Sequence, residues 1–493
     1  MPKEKNFLAF DLGAESGRGV LAQFDGERIK LSEVHRFLTG ATVLPDGLHW
    51  DVLNFWNQIK QAMAKVAREC GPALAGIGLD TWGVDSGLLD RTGALISNPY
   101  HYRDSRTDGI LERAFERVPR EEIFAHTGIQ FIPFNSLYQL LVLVLNQAPV
   151  LEIAETFLTI PDLFNYWLTG RAACEFTNAT TTQCYDPQKG AWAWPVLERM
   201  GIPTHLFPEV VQPGTVLGNL LPQVAQEVGL DSTPVIAPAC HDTGSAVAAV
   251  PAEAPGFAWI SSGTWSVMGA ELTEPMISDK SLAYNFTNEG GVCGTVRFSR
   301  NIMGLWPVQE CRRTWAREGQ ELSYGELTDM AAAAEPFVAV IDPDCADFLP
   351  PGDMPARIQE YCWRTGQRVP ETKGAIVRGA LEGLALKYRW VLERTEEMLG
   401  RRLEPLHIVG GGTQNRLLSQ FTADATGRRV ITGPIEATAT GNVLMQAMAL
   451  GLIGSLPEAR QVVRNSFEVL SFEPREQAGW DQAYAKLLDL MDV

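Results

Sequence analysis

Apolar runs along the chain alternate with short polar turns, and their lengths separate strands from helices. Residues 7–21, FLAFDLGAESGRGVL, form an apolar run that stops at Asp11, crosses a Gly/Ser stretch and becomes apolar again. This predicts a strand, a tight turn and a second strand. Residues 257–269, FAWISSGTWSVMG, repeat the form at an offset of 250, matching Gly13 to Gly263, Ser16 to Ser266 and Gly19 to Gly269. One such hairpin therefore opens each half, as in a chain built from two similar domains. A weaker echo links LAGIGLDTWGVDSGLLD, from Leu74, to LHIVGGGTQNRLLSQF, from Leu406: each is an apolar strand ending in small and polar residues. Between them, residues 374–400 place Ile376, Ala380, Leu384 and Tyr388 at helical spacing and end on a glycine. TGNVLMQAMALGLIG, 440–454, reads as a more fully buried helix. The Pro- and Gly-marked stretch AVPAEAPGF, 249–257, is the expected boundary between a domain of residues 1–250 and one of residues 251–493.

Composition narrows the classes. A chain of 493 residues exceeds one hydrophobic core. Its net charge of −18 argues against a nucleic-acid surface, which needs a basic face, while leaving room for a locally positive anion site. LYQLLVLVL, 137–145, is about half the length of a membrane span, and the first residues lack the long apolar core of a signal peptide. The eight cysteines are scattered without paired spacing, so they read as reduced thiols. A cytoplasmic protein without a membrane, nucleic-acid or obligate protein partner is expected.

The sequence contains no GxxxxGK[ST], no GxGxxG behind a strand, no HExxH and no GxSxG. Three Gly/Ser/Thr turns remain: DLGAESGR, SSGTWS and GGGTQN. Each can present backbone N–H groups and hydroxyls to phosphate oxygens, or can simply be a tight turn. In VIAPACHDTGSAVAAV, 235–250, an apolar strand leads into a small-residue helix with Asp242 in its first turn. That acid is either a helix cap or a general base beside a transferring phosphoryl group.

These segments, together with YRDSRTDG, GIQFIPFNSLYQL, TNATTTQ, TNEGG and NIMGLW, resemble the FGGY carbohydrate kinases of the sugar kinase, Hsp70 and actin superfamily, from residue 8 to about residue 415. The resemblance implies an α/β fold with two ribonuclease H-like domains flanking a catalytic cleft, the first carrying sugar contacts and a phosphate turn, the second mainly nucleotide contacts. It implies ATP and magnesium, and phosphorylation of a ketose. Members acting on L-rhamnulose at C1 match most closely. L-Fuculose and L-xylulose are alternative substrates, and a non-catalytic ATP- or sugar-binding regulator is an alternative of another class. Residue by residue, it implies ATP contacts at Ala14, Glu15, Ser16, Gly17, Arg18, Thr264, Gln309 and Gly411. Sugar contacts fall on Gly83, His241, Asp242, Thr243 and Asn301, with Asp242 as the base.

Magnesium keeps waters and needs only one or two carboxylates, and Asp11 is the candidate, directly or through water. Its counterpart in the second hairpin, Ser261, is no acid. Glu15 departs from the Ser or Thr common in this turn; it can point away, pair with Arg18 or lie near the metal. Trp82 offers a flat face for a sugar or fills the core. Arg103, Asp104 and Arg106 read as sugar or salt-bridge groups.

Overall fold

In the computed structural model, which describes residues 4–475 and 478–491, the opening run forms the strand Lys5–Leu12 and returns antiparallel as Ser16–Phe24. They belong to a six-stranded sheet ordered Thr215–Asn219, Pro234–Ala237, Gly76–Thr81, Lys5–Leu12, Ser16–Phe24 and Ile29–Leu38. The three strands Pro234–Ala237, Gly76–Thr81 and Lys5–Leu12 run parallel, and the flanking pairs are antiparallel. Gly76–Thr81 is buried along its whole length, as expected for a parallel strand covered on both faces. The carboxyl ends of the three parallel strands lie on one edge, where ligands gather in such sheets.

The first compact unit comprises Met1–Ala249, Glu271–Phe298 and Ala437–Ser466; the second comprises Val250–Ala270, Ser299–Glu436 and Phe467–Val493. The first unit's opening stretch ends beside the boundary expected from the sequence, yet two later segments, Glu271–Phe298 and Ala437–Ser466, return to it. The buried helix expected near residue 440 is Ala437–Ala449, one of those segments. It packs on the strands Lys5–Leu12 and Gly76–Thr81 and on the short helix Asp242–Ala248. Gly441 allows the last contact: a Cβ there would lie 2.5 Å from the Ser245 carbonyl carbon. Gln446 Nε2 donates to the Leu8 carbonyl at 3.2 Å.

The second unit repeats the plan. Ala258–Ser262 and Trp265–Leu272 form its hairpin, with Leu406–Val409 parallel to the first strand and Val430–Thr432 parallel beyond it. The two sheets are both mixed, so the expected α/β class holds. The repeat is not in perfect register, however. In the first hairpin Leu12 pairs with Gly17 and Phe10 with Gly19; in the second Ser262 pairs with Ser266 and Ile260 with Met268. The first turn is one residue longer, so the Ser16–Ser266 and Gly19–Gly269 matches slip by one position in space. The periodic run at 374–400 is the helix Lys373–Leu399, capped by Thr372 and ended by Gly400 at φ 63°. LYQLLVLVL lies within the helix Ser136–Leu145, and no helix among the described residues is long and apolar enough to cross a membrane.

Candidate active site

The carboxyl ends of the first unit's parallel strands bring acids together. Asp11 and Asp80 are direct neighbours in the parallel register, and Thr81 bridges to His241 beside Asp242. Arg18 forks onto Asp11, with Nη2 and Nε donating to Oδ2 at 2.8 and 3.2 Å. Asp11 Oδ1 meets no donor among the described residues. Asp80 is fully buried, and Asn442 Nδ2 donates to its Oδ2 at 2.5 Å. Burial pushes the Asp80 carboxyl well up and the charge of Asp11 adds to this, against the pull of Asn442.

The phosphate-like turn is braced from outside: Thr39 donates its N–H to the Glu15 carbonyl at 3.2 Å and its hydroxyl to the Gly13 carbonyl at 2.5 Å. Ala14 packs on the core, Ser16 and Arg18 are half-buried, Gly17 is buried, and the Glu15 side chain is exposed. The longer first turn makes room for this residue.

Asp242 opens the helix Asp242–Ala248, with His241 as the preceding cap residue. Asp242 Oδ1 accepts from Thr243 N at 2.5 Å and Thr243 Oγ1 at 3.1 Å, and His241 Nε2 lies 3.3 Å away. No donor among the described residues reaches Oδ2. The side chain is 31% accessible. Desolvation by the surrounding protein nevertheless pushes its carboxyl up and the charge of Asp11 adds to the rise, against the Thr243 hydrogen bonds. One oxygen of Asp242 thus holds its own turn, and the other meets no donor among the described residues.

Neighbouring groups hold this strand end. Glu175, fully buried, accepts at one oxygen from Cys240 N (3.0 Å) and Thr177 Oγ1 (2.6 Å), and its carboxyl is pushed up by burial to about 7. Thr177 Oγ1 in turn accepts from His241 N at 3.1 Å. The sequence reading missed Glu175; its signal was the helix-capping run EFTN, since the carboxylate also takes the Thr177 and Asn178 N–H groups. Gly83 sits where a Cβ would lie 2.8 Å from Thr181 Oγ1, the atom that accepts from Val84 N. Trp82 is a core residue. It stacks near Trp50 with centroids 4.0 Å apart and donates its indole N–H to Asp85 Oδ2 at 2.9 Å. Burial raises the Asp85 carboxyl to about 6, against Gln139, Trp50 and Trp82. Asp104 and Arg106 serve the fold: Asp104 accepts from Leu48 N at 2.7 Å, and Arg106 donates to Gln139 Oε1 at 2.5 Å.

Behind His241 lies a buried charge pair. Arg297 is fully buried; its Nη1 is 3.1 Å from Glu289 Oε2, its Nη2 is 3.0 Å from His241 Nδ1, and its Nε donates to the Gly290 carbonyl at 2.8 Å. Burial pushes the Glu289 carboxyl up, but the charge of Arg297 pulls harder and leaves it at about 2. A depressed carboxyl contributes stability above its ordinary value and loses it as pH falls through the folded value. The Glu289 share is expected to be present above pH 4.5 and lost toward pH 2, at most about 3 kcal/mol, since burying the guanidinium offsets part of it. Thermal melting of the native chain and Glu289→Gln from pH 7 to pH 3 checks this: the gap between them should narrow below pH 4.5. A constant gap would remove the assignment.

In the second unit the nucleotide candidates gather around the second hairpin turn. Leu305 N donates to the Gly263 carbonyl at 3.0 Å and Trp306 N to the Thr264 carbonyl at 3.2 Å, seating the helix Trp306–Arg317 on the turn. Gln309 lies in this helix, and its Oε1 is buried without a donor among the described residues. Gly411 begins the one-turn helix Gly411–Gln414, which follows the strand paired with the hairpin, and a Cβ on it would meet no atom within 4 Å. Asn301 is half-buried on the strand Val296–Met303 of the same unit. Gly83, His241, Asp242 and Thr243 thus belong to the first unit and Asn301 to the second.

Two family models match the chain: the N-terminal domain of the FGGY family of carbohydrate kinases over residues 6–249, and its C-terminal domain over residues 258–450. The chain belongs to the FGGY family of carbohydrate kinases. Among curated relatives, this FGGY kinase is 44% identical over 481 residues to the rhamnulokinase of Bacteroides thetaiotaomicron, covering 98% of each chain. It is 40% identical over 462 residues to that of Halalkalibacterium halodurans, covering 94% of this chain and 97% of the relative. The structure of a gluconate kinase from Lactobacillus acidophilus superposes with a TM-score of 0.81 at 16% identity, covering 99% and 98% of the two chains. At that identity the likeness bears on the fold: two actin-like α/β units.

Proposed function

We propose that this FGGY kinase transfers the γ-phosphoryl group of ATP to the C1 hydroxyl of L-rhamnulose, giving L-rhamnulose 1-phosphate and ADP in L-rhamnose catabolism. The observation that carries the chemistry is Asp242: Oδ1 is held by Thr243 and faces His241, while Oδ2 is open. The substrate assignment is supported by full-length relatives named rhamnulokinase.

In this reading Asp242 Oδ2 accepts the C1 hydroxyl proton as that oxygen attacks the γ-phosphorus and the bond to the β-bridging oxygen breaks. The raised carboxyl suits a base that must take up a proton during the reaction. Gly83, His241, Thr243 and Asn301 orient the sugar. Backbone N–H groups of residues 14–18, with Thr264, Gln309 and Gly411, hold the nucleotide. Arg18 neutralises Asp11 and can share its charge with phosphate oxygens.

The donor set suits magnesium. Asp11 Oδ1 meets no donor among the described residues, and magnesium takes one or two carboxylates beside phosphates and water. Asp11 would hold the ion, which supplies charge neutralisation on the phosphates.

ADP release measured over a panel of ketoses with Mg-ATP tests the assignment. L-Rhamnulose is expected to give the highest kcat/KM. A higher value on L-fuculose or L-xylulose would replace it, and nucleotide binding without turnover on any sugar would leave only a binding protein.

A further inference from the structure

We infer that Glu289 and Arg297 are positioning residues that fix His241 in a single tautomer and thereby place its Nε2 proton beside Oδ1 of Asp242. The inference deepens the proposed kinase mechanism and rests on that reading for its kinetic consequence.

The proton inventory of the contacts decides the tautomer. A guanidinium carries only donors. Arg297 Nη2 lies 3.0 Å from His241 Nδ1, so that nitrogen must present its lone pair. A neutral imidazole then carries its proton on Nε2, which faces Asp242 Oδ1 at 3.3 Å. The opposite tautomer would point Nδ1–H at an Arg N–H, leaving only Glu289 Oε2, at 3.3 Å, to receive it.

Glu289 completes the device by compensating the charge of a guanidinium that has no access to water. Its Oε2 is 3.1 Å from Arg297 Nη1, and its Oε1 receives the Thr287 hydroxyl at 3.4 Å. Backbone contacts hold the same assembly: Gly290 N donates to Thr180 Oγ1 at 2.8 Å, and His241 N to Thr177 Oγ1 at 3.1 Å. The other acids whose charge reaches Asp242 or Arg297 are Asp11, Asp80 and Glu175. None of them faces Nδ1 within hydrogen-bond distance. Oδ1 of Asp242 carries both Thr243 hydrogen bonds and has the His241 Nε2 proton 3.3 Å to its side, while Oδ2 meets no donor among the described residues, so the two carboxylate oxygens are made unequal and one is reserved for the substrate proton. A buried ion pair is weak evidence for a purely stabilising role, because apolar residues would fill the space as well. An N–H aimed at Nδ1 is what apolar residues could not supply. Glu289 sits in TNEGG, a segment to which the proposed mechanism assigns no contact, and Arg297 follows on the strand Val296–Met303.

Two measurements test this. In the native chain labelled with [15N]histidine, with the His241 signals identified by their loss in His241→Gln, the nitrogen shifts should report a neutral ring protonated on Nε2 at pH 7. A ring protonated on Nδ1, or an imidazolium, overturns the inference.

The second is a double-mutant cycle normalised to folded enzyme. Glu289→Gln and Arg297→Met should each lower kcat/KM for the ketose roughly ten- to hundredfold, the cost of a lost aimed hydrogen bond in a buried network, with KM for ATP unchanged. In the His241→Gln background the same changes should cost less than about twofold, because the residue they act through is gone. Equal losses in both backgrounds overturn the inference in favour of a general structural role. If neither single variant folds, the tautomer decides. If the native chain phosphorylates no ketose, the functional reading fails, and the tautomer measurement still judges the positioning claim.

Discussion

Asp242→Asn is expected to bind both the ketose and the nucleotide yet turn over roughly 10²–10⁴ times more slowly, the usual worth of a positioned general base. Asparagine is isosteric, and its amide oxygen can still accept from Thr243 N and Thr243 Oγ1, as Asp242 Oδ1 does now at 2.5 and 3.1 Å. The helix Asp242–Ala248 should therefore keep its first turn, and melting should change little. What is lost is the open oxygen, replaced by an NH₂ group that can only donate. Single-turnover kinetics separate the steps: the chemical step should slow while the ligand-induced rise in melting temperature persists. Near-native kcat would remove Asp242 from the role of base. Loss of ligand binding instead would make it chiefly a sugar contact.

Gly441→Ala is expected to have the largest effect on stability, about 3 kcal/mol or more, because the new methyl group has nowhere to go. It would meet the Ser245 carbonyl carbon at 2.5 Å and Ser245 Cα at 3.1 Å. Both atoms belong to the helix backbone rather than to a side chain that could swing aside. Relief requires the helices Ala437–Ala449 and Asp242–Ala248 to separate, and the second carries Asp242. Melting should fall by roughly 5–10 °C. Residual folded enzyme should show a lower kcat, since a displacement of about an ångström at the reacting groups is costly. A variant that melts like the native chain would mean that the helix contact is looser than described.

Local signals account for what the sequence revealed. The hairpins were legible because apolar runs are broken only by Gly, Ser and Thr, and the helix Lys373–Leu399 because period and end signal agree. Asp242 was ambiguous locally because a capping acid and a base occupy the same position, and here it does serve its own turn with one oxygen. The register slip was hidden: Gly13 and Gly263 align, but an extra residue in the first turn shifts everything after it, and only strand pairing reveals this. The support of the site was equally hidden. Asn442 reaches Asp80 across 362 residues, and Arg297 reaches His241 across 56, distances at which no period or spacing carries information. Glu175 could be read as a cap, but its hold on Cys240, 65 residues away, could not.

The return of Ala437–Ser466 to the first unit also sets the order in which the protein can be finished on the ribosome. The stretch Met1–Ala249 is synthesised first, and its clasp follows only after roughly 190 further residues, about 10–40 s at ordinary elongation rates. During that interval Gly76–Thr81 lacks the helix that will cover it, and Asp80 lacks Asn442. The nascent first half therefore waits with an apolar sheet face uncovered. The fragment 1–250 is therefore a poor choice for expressing the first domain on its own.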